Sequence, residues 1–86
     1  MENLEKPYLT YKVRWSLIKT LRESFKEMTP ETTLKEAVDK IGYRHHLSTD
    51  PLKKANVDIK VKLKDVIEYL GLEKYFAQDN NLHEEQ

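Results

Sequence analysis

The chain has 86 residues and a mass of 10.3 kDa, with fifteen basic side chains, fifteen acidic ones and no cysteine. At this mass about 64% of the unfolded surface is buried on folding, which leaves room for one small domain and excludes two. Without cysteine there is neither a disulfide framework nor a Cys-based zinc site, and no apolar run has the length of a signal peptide or a membrane span, so a soluble cytoplasmic protein is expected.

Residues 1–6 are polar and are expected to be disordered. Thr10 is placed to cap a long first helix, along which Tyr11, Trp15, Ile18, Leu21, Phe25 and Met28 recur at spacings of three and four, with Leu17 beside them. That stripe is expected to be the buried spine of the fold. Arg14, Lys19, Arg22, Glu23, Lys26 and Glu27 fall largely on the other side, where Glu23 is spaced to pair with Lys19 or Lys26.

The second helix has two candidate starts. Thr29-Pro30-Glu31 offers a cap followed by a first-turn proline, and Thr33 with Glu36 offers a capping box. Leu34, Ala37, Val38 and Ile41 mark its buried face, and Gly42 reads as a left-handed stop with Tyr43 folding back over Val38. After a loop at 43–49, Asp50-Pro51 opens a short helix that ends at Asn56. Val57, Ile59 and Val61 alternate with Asp58, Lys60 and Lys62, the period of a short extended arm, which is read as a lone strand, a wing-like arm or a free edge for another chain. Leu63, Val66, Ile67 and Leu70 restore the helical period, Gly71 stops it, and Leu72, Tyr75 and Phe76 add one amphipathic turn. No internal repeat or low-complexity tract is read. The fold class is therefore all-α: a bundle of a long N-terminal helix with three or four shorter ones, spanning 7–77, with the arm at 57–61 and a disordered acidic tail at 78–86.

Charge is unevenly spread. Residues 35–64 hold eight basic side chains against four acidic ones, whereas residues 65–86 hold one against six. Such a chain carries a dipole at zero net charge and offers a basic middle segment to an anionic partner.

Catalysis and metal binding find little purchase. Gly42 and Gly71 are the only glycines, so no glycine-rich phosphate loop exists; Ser16 and Ser24 lie on a helix away from any predicted cleft, and Ser48 sits in a loop. His45, His46, Asp50 and His83 lack metal-ligand spacing. No enzymatic activity, small-molecule substrate, metal, cofactor or membrane association is expected.

Thr33 to Ile41, TLKEAVDKI, followed by Gly42-Tyr43, resembles the first helix and turn of an excisionase or MerR-type winged helix-turn-helix. Lys62 to Leu70, KLKDVIEYL, is similar to the helix after the wing in such modules. The resemblance covers residues 33–70 and implies DNA contacts from Arg44, His45, His46, Lys53 and Lys54 around the turn, with Lys60 and Lys62 on the arm. The segment in the recognition-helix position contains Pro51 and reads as one or two turns. Leu70 to Tyr75, LGLEKY, is similar to a stretch near the start of SAM interaction domains, but only eleven residues follow Tyr75, too few for a complete one.

Two functions follow. The first is a protein-protein interaction module (an inhibitor, adaptor or assembly factor of the kind carried by phages and mobile elements) that engages a partner or itself through Tyr8, Tyr11, Trp15, Val57, Ile59 and Val61. The second is a small DNA-binding transcriptional or recombination regulator.

Overall fold

A computed structural model describes residues 7–76, and they form an all-α fold. The expected disordered segments, 1–6 and 78–86, lie outside the described residues. Helix α1 spans Tyr11–Glu27, α2 Leu34–Ile41, α3 Thr49–Lys54 and α4 Leu63–Leu70. A 3-10 turn at Gly42–His45 continues α2, and residues 73–76 are helical.

Thr10 caps α1 as its sequence demands, with its hydroxyl accepting the Val13 N–H at 3.3 Å. The helix stops at Met28, two residues before Pro30. Its buried side is rotated from the expected stripe. Leu17, Ile18 and Leu21 are in the core, but so are Thr20 and Ser24, whereas Tyr11 is 80% exposed and Phe25 is 37% exposed. The hydroxyls make this burial inexpensive: Thr20 donates to the Ser16 carbonyl at 2.8 Å and Ser24 to the Thr20 carbonyl at 2.7 Å. The Gly42–His45 turn and α2 both pack on α1.

Of the two candidate starts for α2, the structure selects Thr33. Its hydroxyl accepts the Glu36 N–H, and the Glu36 carboxylate accepts the Thr33 N–H, both at 3.3 Å.

The segment 57–61 corrects the expectation of an extended arm with a free edge. It forms turns: the Asp58 carboxylate accepts the Lys60 N–H at 3.0 Å, and the Tyr69 hydroxyl accepts the Asp58 N–H at 3.1 Å. Its carbonyls then complete the start of α2. Val61 O accepts from Leu34 N–H and Ile59 O from Lys35 N–H, each at 2.8 Å. The favour is returned, because Thr32 O accepts from Leu63 N–H at 2.7 Å and Pro30 O from Lys64 N–H at 3.1 Å. Thr33 and Lys62, the two N-cap residues, form an isolated antiparallel bridge at the centre. Each helix thus has its first two orphan donors satisfied by the chain preceding the other.

This exchange exposes an internal repeat, contrary to the expectation of none. Leu34, Lys35, Glu36, Ala37, Val38, Asp39, Ile41 and Gly42 correspond, at one constant offset, to Leu63, Lys64, Asp65, Val66, Ile67, Glu68, Leu70 and Gly71. The donors and acceptors of the exchange obey the same offset, so the hydrogen bonds on either side of the bridge are reciprocal.

The two glycines nevertheless differ. Gly71 is left-handed as expected (φ +68°), and the Leu72 N–H closes on the Ile67 carbonyl at 2.9 Å, burying Leu72. Gly42 is right-handed (φ −54°), and the left-handed reversal falls on His46 (φ 60°). Tyr43 stays 68% exposed rather than covering Val38. Gly42 is required for space: an added Cβ would stand 2.6 Å from the Leu47 carbonyl oxygen. Helix α3 begins after Ser48, slightly earlier than Asp50-Pro51 suggests, and closes at left-handed Asn56.

Leu21, fully buried, and Tyr11, largely exposed, test the rotated core directly. Leu21→Ala is expected to destabilise the protein by about 2–5 kcal/mol, and Tyr11→Ala by less than about 0.5 kcal/mol, in urea denaturation followed by circular dichroism. Gly42→Ala is expected to cost about 1–3 kcal/mol through the backbone clash, measured in the same way.

Candidate interaction surface

The basic residues of the middle segment do not form one free patch. Arg44 reaches back from the 3-10 turn to α1, where its Nη1 lies 3.1 Å from Glu23 Oε2 and 3.0 Å from Glu27 Oε2. His45 Nε2 lies 2.6 Å from Glu23 Oε1. Glu23 therefore pairs across to the turn, not with Lys19 or Lys26 along its own helix. The hydrogen bond from His45, and secondarily Arg44, holds the Glu23 carboxyl below the usual carboxylate range. Arg44 is in turn held more firmly protonated by Tyr43, Glu27 and Glu23, and its guanidinium stacks 5.7 Å from the Tyr43 ring centre.

Lys62 is likewise engaged, 2.9 Å from Glu31, which also takes Lys64 at 3.3 Å. Lys62 and then Lys64 lower the Glu31 carboxyl. His46, Lys53, Lys54 and Lys60 remain exposed. Among the described residues no three potential metal ligands gather, and no helix is long and apolar enough to cross a membrane.

The aromatic candidates divide differently. Tyr8 is 74% exposed although its backbone N–H is fixed to the Ala55 carbonyl at 3.3 Å. Tyr11 meets Trp15 edge-to-face at 6.3 Å, and Trp15 meets Tyr75 at 5.5 Å. By contrast, Val57 is 6% exposed, and Ile59 and Val61 pack against the core. With the Ile59 and Val61 carbonyls already given to α2, this part of the proposed interface offers no free edge there.

Two open depressions lie along α1. One, of about 420 Å³, is lined by Tyr11, Lys12, Trp15, Ser16 and Lys19. The other, of about 380 Å³, is lined by Arg22, Phe25, Lys26, Ile67 and Phe76. Lys12, Lys19 and Lys26 thus border the surface, although the apolar stripe draws attention away from them. Their signal in the sequence is the repeated spacing of seven, which returns a helix to nearly the same direction. No family model, curated protein or solved structure matches the chain.

The paired carboxylates make stability depend on acid pH. Their folded pKa values lie below the unfolded ones, so their contribution is complete above the unfolded value and disappears as pH falls through the folded one. Thermal melts between about pH 7 and pH 3 should therefore show a steeper loss for the wild type than for Glu23→Gln/Glu31→Gln. Equal slopes would show that these pairs contribute nothing to folding.

Proposed function

We propose that the protein is a non-enzymatic interaction module that presents the N-terminal half of α1 to a protein partner. The observation that carries this reading is the exposure of Tyr8 and Tyr11 beside Trp15, in a fold whose core closes without them. Large rings on a structured surface supply contact area at low entropic cost and are enriched among residues that dominate binding energy. Engagement of Arg44, His45 and Lys62 by carboxylates of the same chain weakens the basic segment as a nucleic-acid surface. The DNA-regulator reading draws its support from Lys53, Lys54 and Lys60, which are exposed and form no ion pair among the described residues.

Affinity capture from a lysate of the source cell, run in parallel with wild type and Tyr8→Ala/Tyr11→Ala, separates these readings alongside a duplex titration at about 50 mM salt. The interaction reading expects a defined protein retained by the wild type and lost by the variant, with no duplex binding. It fails if both columns retain the same proteins. It fails equally if duplex binds with a log-log salt slope of about −3.6, the value for roughly four phosphates, and Lys53→Ala/Lys54→Ala flattens that slope.

A further inference from the structure

We infer that the face of α1 bearing Lys12, Lys19 and Lys26 is a docking strip for an acidic helix of the partner protein, lying along α1. The inference rests on the interaction reading above and specifies the chemistry of the partner. At 100° per residue, a spacing of seven turns the helix through almost two complete circles, so the three ammonium groups stand in a row. The row runs about 21 Å, with about 10.5 Å between neighbours.

Beside this row stands a row of rings. Tyr11, Trp15 and Tyr75 form a chain of edge-to-face contacts, and Phe76 meets Phe25 at 6.1 Å farther along. The two depressions occupy the two ends of the strip, and each is bounded by lysine and aromatic side chains. Arg22 supports the aromatic row, with its guanidinium 5.8 Å from the Phe76 ring centre and a hydrogen bond to the Tyr75 carbonyl at 3.4 Å.

Charge selects the occupant. From Tyr11 to Arg22 there is no acidic residue, and the next two acids on α1, Glu23 and Glu27, are taken by Arg44 and His45. Lys12, Lys19 and Lys26 consequently form no ion pair among the described residues. Their complement is a row of carboxylates beside a row of apolar groups. A helix with acidic residues at the same seven-residue period supplies both, at the 8–10 Å interaxial distance typical of packed helices.

The test selects peptides of about twenty residues from a random display library against the full chain. Synthetic versions are then titrated while the emission of Trp15, the only tryptophan, reports on the strip itself. Enriched sequences should place Asp or Glu at helical spacings beside Leu or aromatic residues, and should shift Trp15 emission saturably. Their affinity should fall at least about tenfold for Lys12→Glu/Lys19→Glu/Lys26→Glu and remain for Lys53→Ala/Lys54→Ala. Should the charge-reversed chain fail to fold by circular dichroism, the corresponding Gln triple takes its place, with the same direction expected. Enrichment of neutral or basic peptides overturns the inference, as does binding of a single-stranded oligo-dT that the lysine substitutions abolish. Peptides that depend on Tyr8 and Tyr11 but ignore the lysines would remove the acidic-helix assignment and leave the interaction reading standing.

Discussion

The fold turns on an exchange of four backbone hydrogen bonds between the segment entering α2 and the segment entering α4. Both helices have eight residues, too few to hold themselves in water, and each begins with N–H groups that have no partner within the helix. Ile59 and Val61 complete α2, while Pro30 and Thr32 complete α4. The capping box at Thr33 and the Asp65 N–H bond to the Lys62 carbonyl at 2.8 Å satisfy the next donors. Lys62 has no side-chain acceptor to offer as an N-cap, and the exchange explains why α4 does not need one.

The same exchange fixes the position from which α2 delivers the Gly42–His45 turn to α1. There Arg44 and His45 claim Glu23 and Glu27, and the consequence for the surface is electrostatic. A basic segment in the sequence becomes partly neutralised in the fold, and among the described residues uncompensated ammonium groups are left both on Lys12, Lys19 and Lys26 of α1 and on Lys53, Lys54 and Lys60. The contribution of such exposed pairs to stability is small. Their effect on the distribution of surface charge is larger, because they decide which basic side chains remain uncompensated.

Packing reinforces this division. Thr20 and Ser24 occupy the inner side of α1, where their hydroxyls are satisfied by its own carbonyls, while Tyr11 and Phe25 are exposed and Trp15 packs at the margin of the core. The rings at Trp15 and Phe25 then meet Tyr75 and Phe76 at the edge of the fold. Tyr11 contributes little to the core, yet it extends the surface that a partner would meet.

The sequence by itself determined the all-α class, the start of α1 at Thr10, the helical periods of α2 and α4, and the Gly71 stop. These follow from interactions within a few residues: caps, side-chain period and the conformational freedom of glycine. Tertiary structure decided the rotation of α1, the right-handed state of Gly42 and the use of the 57–61 carbonyls as caps. It also decided the diversion of Glu23 from Lys19 and Lys26 to Arg44 and His45. Each of those outcomes is a competition between a local partner and one distant in the chain, and only the folded arrangement sets how near the distant partner comes. The duplicated pattern from Leu34 to Gly42 and Leu63 to Gly71 lies between the two. Its residues are present in the sequence, but substitutions such as Lys40 against Tyr69 blur it, and the backbone exchange across the Thr33–Lys62 bridge gives it physical meaning.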